Sequence, residues 1–185
     1  MHKTFIGVIT TGFAFVALAA MSQVAMSKEA VGKALGPHVH GVASLEIALD
    51  VALVTINFSG PLDNLIGFEH MPETNQQKAK VKAMQDRLNK PAPLFYFTKT
   101  AQCSVKSVKL VSTVLGDKPE AGEPEGHADV DAEFIYHCSQ IKNLKTIKVM
   151  LFDFYPNLHK IKVAFASDRG QTAAELSTDK RAITW

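Results

Sequence analysis

The chain has 185 residues, of which 46% are hydrophobic and 21% are charged, and its formal net charge is +2. This composition is typical of a globular protein rather than a disordered one, and the length suits one ordinary domain. The nearly neutral charge gives no electrostatic basis for binding DNA or RNA, so we expect no nucleic-acid partner.

Residues 1–25 have the pattern of a cleavable secretory signal peptide. Lys3 supplies a short positive region, residues 5–20 are an uncharged apolar run, and small residues follow. Cleavage fits after Ala19 or after Ala25, and we favour Ala25. The alternative is a retained membrane anchor, but the apolar run is short for a span and is diluted by glycine and threonine. We therefore expect an exported protein whose mature form does not span a membrane.

Export determines how the two cysteines, Cys103 and Cys138, are interpreted. A lone pair in an oxidising compartment is most simply a disulfide. Closing the loop between them stabilises the chain by roughly 4 kcal/mol in the chain-entropy model. The alternative is a pair of thiolate metal ligands.

Past a flexible lead-in at 26–37, we expect one α+β domain over 38–185. Apolar and polar residues alternate from 38 to 50 and again from 51 to 58. This alternation predicts two half-buried strands with a tight turn at Asp50 between them.

Residues 74–90 predict the one clear amphipathic helix. Thr74 and Gln77 have capping-box spacing, and Pro91 ends the helical pattern. The apolar face consists of Val81, Met84 and Leu88. Because this face is narrow, we expect the helix to lie against the edge of a sheet.

The rest of the chain predicts mostly antiparallel strands and one exposed acidic loop at 116–129, which is rich in glycine, proline and glutamate. The predicted strands cover 94–97, 105–115, 130–138, 145–152, 159–166 and part of 172–185. The loop lies between the two cysteines, so we expect a disulfide to hold its base.

Two segments share a pattern that predicts two similar halves in the fold. One begins at His40 and the other at His127, and each runs through two apolar strands into a turn with Asp, Pro, Asn and Leu. We interpret this as a pseudo-repeat of a β-hairpin, which would place His40 and His127 at equivalent strand starts.

The segment His38-Val39-His40 is the clearest candidate for a metal site. Alternate residues of an extended chain point the same way, so both imidazoles can bind one zinc ion. His127 precedes another strand, and His70 ends the segment Gly-Phe-Glu-His. The alternative for a single H-x-H pair is an exposed strand end without metal.

Other polar residues have simpler interpretations. His159 follows a turn and is expected to act as a cap or a surface residue, and His137 is expected to fill an edge of the core. The acidic loop is expected to be a solvated loop. No nucleophile elbow, zinc-protease motif or phosphate-binding glycine loop occurs, so we expect no enzyme.

Several segments in order resemble the ZrgA family of periplasmic zinc-uptake proteins over 38–185. They read HVHGVASLEIAL, PLDNLIGFEH, ETNQQ, HADVDAEFIYHC and LFDFYPNL. The resemblance implies a zinc carrier in the periplasm, working beside a TonB-type outer-membrane receptor and ABC zinc importers. It also implies His38, His40, His70 and His127 as the metal residues.

The chain departs from that family in its middle loop, where members carry a long histidine-rich run. Here the loop is acidic, and His127 is its only histidine. A loop without imidazoles cannot collect several zinc ions, so only a small pre-formed site remains. We therefore expect a soluble periplasmic zinc-binding carrier or accessory in zinc uptake. The alternative is an adaptor of a membrane transport complex that binds no metal.

Overall fold

Nine strands in two sheets contain nearly half of the residues that the computed structural model describes, which are 39–118 and 128–185. The large sheet has the order β4-β5-β2-β1-β7-β8, and the small sheet has the order β3-β6-β9. The strands are β1 (Val42–Asp50), β2 (Leu53–Pro61), β3 (Phe95–Phe97), β4 (Cys103–Val111), β5 (Asp129–Cys138), β6 (Thr146–Val149), β7 (Lys160–Ser167), β8 (Gly170–Ser177) and β9 (Ala182–Thr184). All strand pairs are antiparallel except β1 with β7.

The described part of the chain also contains three α-helices: α1 (Asp63–Ile66), α2 (Asn75–Leu88) and α3 (Leu151–Phe154). Short 3₁₀ turns lie at Lys99–Ala101, Thr113–Leu115 and Ile141–Asn143. Strands dominate and their pairing is mostly antiparallel, so the predicted α+β class is confirmed. Within the described ranges, no helix is long and apolar enough to cross a membrane.

The core lies between one face of the large sheet and the small sheet. Alternate residues of the central strands are buried, as in Leu45 and Ile47 of β1, while their neighbours face solvent. Aromatic rings join the two sheets: Phe95 lies 5.2 Å from Phe134 between ring centroids, and Phe165 lies 4.3 Å from the ring of Trp185.

The predicted helix is confirmed as α2. The Thr74 hydroxyl accepts a hydrogen bond from the backbone N–H of Gln77, and the Gln77 side chain accepts one from the N–H of Thr74. This reciprocal pair satisfies two amides that a helix start leaves without partners. The predicted apolar face is buried, and α2 contacts the edge strand β4, as the narrow face indicated.

The hairpin pseudo-repeat is wrong in its second half. β1 and β2 form the first hairpin, but β5 pairs with β2 on one side and β4 on the other. Both edges of β5 are therefore occupied, and the next strand, β6, pairs with β3 and β9 in the small sheet.

Four strand predictions need correction at their ends. The strand predicted over 38–50 begins at Val42, after a turn that contains His40, and the one predicted over 145–152 ends at Val149, before α3. The strand predicted over 105–115 ends at Val111, and Thr113–Leu115 form a 3₁₀ turn. The C-terminal segment contains two strands, β8 and β9, rather than the single one expected. The signal peptide at 1–25, the lead-in at 26–37, His38 and most of the acidic loop, with His127, lie outside the described residues.

Candidate metal centre

One end of the large sheet gathers the starts of three strands. The register pairs Val42 of β1 with Lys160 of β7 in parallel, and Pro61 at the end of β2 with Asp129 of β5. Since β2 is antiparallel to both β1 and β5, β1 and β5 run in the same direction as each other. We call this end of the sheet, where β1, β5 and β7 begin and β2 ends, the histidine end.

A histidine precedes each of these three starts in the sequence. His40 is two residues before β1, His127 is two residues before β5, and His159 is directly before β7. His127 lies outside the described residues, but its neighbour Ala128 accepts a backbone hydrogen bond of 2.9 Å from Leu62. The polypeptide therefore returns from the acidic loop beside the start of α1.

Asn64 fixes the turn that carries His40. This residue of α1 is fully buried, and its Oδ1 accepts a hydrogen bond of 2.6 Å from the backbone N–H of Gly41. Its Nδ2 donates to the carbonyl of Val42 at 2.8 Å. Because one amide satisfies a donor and an acceptor on either side of the turn, it holds the first residues of β1 against α1.

His40 lies between two carboxylates. Its Nε2 is 3.1 Å from Oε1 of Glu69, and its Nδ1 is 3.6 Å from Oδ2 of Asp63. The imidazole is 63% exposed, the Asp63 side chain 26% and the Glu69 side chain only 10%. The histidine is therefore accessible to an ion from solvent, while the carboxylates around it are held by the protein.

A left-handed residue at the end of α1 returns the chain to His40. Gly67 has φ +83°, and its N–H donates to the carbonyl of Asp63. A positive φ favours glycine, since other residues carry a Cβ that clashes there. Lys80 of α2 donates to the carbonyl of Ile66 at 3.1 Å and steadies the same turn. Two residues later, Glu69 reaches the imidazole.

Gly41, the glycine of the H-x-H-G segment, is required for two reasons. Its φ is +80°, and a Cβ added there would lie 2.8 Å from Cδ2 of His159. The carbonyl of Gly41 accepts hydrogen bonds from the N–H groups of His159 and Lys160, at 2.8 and 2.9 Å. The ring of His159 therefore lies directly against the backbone next to His40.

The other predicted histidines have different surroundings. His70 is exposed, its Nδ1 donates to the carbonyl of Met71 at 2.8 Å, and its ring centroid is 5.1 Å from that of Phe68. Its described contacts do not include His40. His137 pairs with Leu53 near the far end of β5, about 26 Å along the strand from Asp129. His137 is exposed, so the expectation that it fills an edge of the core is wrong, and it takes no part in the cluster at the histidine end.

The geometry around His40 suits a metal bridge. Two tetrahedral zinc ligands, each about 2.1 Å from the ion, are about 3.4 Å apart. The two nitrogen–oxygen distances at His40, 3.1 and 3.6 Å, bracket this value. However, Glu69 and Asp63 lie at opposite ring nitrogens, so one ion cannot take both together with His40. Within 39–118 and 128–185, no three such side chains converge on one point.

The cysteines form the predicted disulfide, which also excludes them as metal ligands. Cys103 and Cys138 are directly paired across β4 and β5, 35 positions apart in sequence. Their pair lies at the opposite end of these strands from Val111 and Asp131, where the acidic loop begins and ends. The expectation that the disulfide holds the base of this loop is therefore wrong.

The fold and this cluster define a β-rich domain with a histidine and two carboxylates at one sheet end. The chain belongs to a family of zinc uptake proteins, because the model of the ZrgA family zinc uptake protein matches residues 37–185. The resemblance noted in the sequence is thus confirmed. A comparison with curated proteins finds no match.

Sequence reasoning identified His40 but missed the residues that hold it. Asp63 and Asn64 lie in the segment 59–64, whose Ser, Gly, Pro, Asp and Asn residues are typical of a turn. Hydrophobic periodicity cannot show that the side chain of one such asparagine is buried. The interpretation of His159 as a surface residue is correct in that it is exposed. It did not predict that His159 lies beside Gly41, because the sequence pattern does not indicate that β7 pairs with β1 in parallel.

Proposed function

We propose that this protein binds zinc as its cargo in the periplasm and acts as a carrier or accessory in zinc uptake. Its family membership supports a role in zinc uptake. The observation that carries the binding role is His40, an exposed imidazole with carboxylate oxygens 3.1 and 3.6 Å from its two nitrogens. We propose a carrier rather than an enzyme because the family that the chain belongs to is one of zinc uptake proteins.

The two carboxylates take different roles in this proposal. Glu69 is the less exposed and the closer to the imidazole, with Oε1 3.1 Å from Nε2 of His40, so in this proposal it orients the ring. This leaves Nδ1 to bind zinc together with Oδ2 of Asp63. A carboxylate behind a zinc-binding histidine orients the ring and makes it a stronger ligand.

His38 and His127 are proposed to complete the coordination, with His70 as a more distant partner. The argument for His38 is that it lies two residues before His40 in the sequence. The argument for His127 concerns the next residue, Ala128. Its carbonyl accepts a hydrogen bond from the N–H of Leu62, which directly precedes Asp63. His70 follows Glu69 and keeps Nε2 available, since its Nδ1 is bonded to Met71.

We further propose that the protein is exported to the periplasm. The signal peptide at 1–25 is removed on export, 26–37 is a flexible lead-in, and 38–185 is the zinc-binding domain. The partners are a TonB-type outer-membrane uptake system or an ABC zinc importer. The observed disulfide supports this location, because such bonds persist in oxidising compartments.

The test is a zinc titration of the protein purified from the periplasm, with its disulfide intact. Calorimetry gives the affinity, and native mass spectrometry gives the stoichiometry and the signal cleavage site. The proposal predicts one site of sub-micromolar affinity that is lost in the double variant His38→Ala, His40→Ala. The matched control is His137→Ala, which removes an exposed histidine of β5 and leaves binding unchanged.

The pH dependence supplies a second readout. Imidazole binds zinc only when it is neutral, so affinity falls below about pH 6. Undiminished affinity at pH 5 would contradict histidine ligation. No binding up to millimolar zinc would reject the carrier role and favour the adaptor of a membrane transport complex.

A further inference from the structure

His159 lies closer to His40 than its sequence position indicates. β7 runs parallel to β1, and the residue before β7 is hydrogen-bonded through its N–H to Gly41, which follows His40. Adjacent strands are about 4.8 Å apart, and consecutive Cα atoms are 3.8 Å apart. The two histidines are thus neighbours on adjacent strands at the histidine end.

The imidazole of His159 is available for another partner. The residue is exposed, and among residues 39–118 and 128–185 its ring nitrogens have no hydrogen-bond partner. Its ring rests against Gly41, where the missing Cβ leaves room for it. The adjacent cation, Lys160, is paired with Glu175 at 3.0 Å, so its charge is balanced beside a site for a divalent ion.

The segment before His159 is also tied to the carboxylate side of the cluster. The Nδ2 of Asn157 donates to the backbone carbonyl of Asp63 at 3.2 Å. One short segment therefore contacts α1 through Asn157 and the turn of His40 through His159. His159 therefore lies against Gly41, the residue after His40, and two residues from Asn157, which contacts the backbone of Asp63.

We propose that His159 is a third protein ligand of the zinc ion held by His40 and Asp63. This inference rests on the proposed function and adds a ligand to the same site. Zinc draws the ring away from Gly41 by rotation of the side chain, and no hydrogen bond of the described residues opposes this rotation. Zinc takes four ligands, so these three leave one position for water or one further ligand.

The competing explanation is that the ring only covers Gly41. His159→Phe separates the two, because phenylalanine keeps a planar ring against the glycine and removes both nitrogens. The matched control is His137→Phe, which makes the same change at an exposed histidine of β5 away from the cluster. Thermal unfolding of each variant without zinc verifies that the fold is retained.

The experiment measures zinc affinity by competition with a chromophoric chelator, using protein purified from the periplasm. Cobalt(II) serves as a second probe, since its visible spectrum reports the number of nitrogen ligands. His159→Phe is expected to weaken zinc binding at least about tenfold and to change the cobalt spectrum. The control is expected to leave both unchanged.

The outcomes separate this inference from the proposed function. Zinc affinity of His159→Phe within twofold of the wild type, with an unchanged cobalt spectrum, would overturn the role of His159. If His40→Ala still abolished binding, the proposed function would stand without this ligand. A wild-type protein that binds no zinc would overturn both.

Discussion

Removing the Asn64 side chain tests how the histidine turn is held. In Asn64→Ala, the N–H of Gly41 loses its 2.6 Å hydrogen bond and the carbonyl of Val42 loses its 2.8 Å donor. Each buried group left without a partner costs about 1–3 kcal/mol. Because the bond to Val42 is only partly buried, its loss costs less than the full penalty, and we expect the free energy of unfolding to fall by about 2–4 kcal/mol. This is a large share of the stability of an ordinary domain.

The assay is urea unfolding followed by circular dichroism at pH 7, with the disulfide intact. The control is Asn57→Ala, an exposed asparagine on β2, which should change stability by less than about 0.5 kcal/mol. Asn64→Asp keeps the acceptor for Gly41 but turns an oxygen toward the carbonyl of Val42. Its stability should therefore rise relative to wild type as acid protonates the new carboxyl group. A loss in Asn64→Ala no larger than in the control would refute the reasoning.

Three further predictions follow from other parts of the fold. Gly41→Ala and Gly116→Ala each place a Cβ at a positive φ, so each should lower the free energy of unfolding by about 1–2 kcal/mol. Only the Cβ of Gly41→Ala meets a histidine ring, so only this variant should bind zinc more weakly in a competition with a chelator. Replacing Cys103 and Cys138 by Ala should lower the free energy of unfolding by roughly 4 kcal/mol and leave zinc affinity intact, because the bond lies away from the histidine end. Burial raises the pKa of Tyr155 from 10.0 to about 12, so the unfolded chain loses this proton first and stability falls as the pH rises from 10 toward 12. Tyr155→Phe should reduce that fall in urea midpoints at pH 8 and 10.5, and an equal fall in both proteins would contradict it.

Local patterns predicted the elements whose causes are local. The helix at 74–90 was found because its cap, Thr74 with Gln77, and its apolar face are all within one short window. The first hairpin was found because β1 and β2 alternate and are joined by a tight turn. These features depend on periodicity and capping, which a single sequence displays directly.

Pairings between distant segments could not be predicted in this way. Alternation indicates which face of a strand is buried but does not indicate which strand lies beside it. For this reason the second hairpin was wrong, since β5 takes β4 and β2 as partners instead of β6. The parallel pairing of β7 with β1, which places His159 beside Gly41, was missed for the same reason.

The candidate site was predicted in part. His40 was chosen for its spacing from His38, and His70 as the end of the Gly-Phe-Glu-His segment, before the family resemblance supported both. Glu69 was noted only as a neighbour of His70, whereas the structure places it 3.1 Å from the His40 ring. The return of the chain at Gly67 causes this contact, and it depends on a positive φ that no charge pattern indicates.

The parallel pair of β1 and β7 sets the order in which the histidine end can form. Synthesis delivers Val42 early, but its partner Lys160 follows only near the end of the chain. His40 therefore exists for most of synthesis without the segment that bonds to Gly41. A truncated chain that stops before β7 would keep its first hairpin but not this neighbour. High zinc affinity would then be a property of the finished protein, and unfinished chains would compete poorly for the ion.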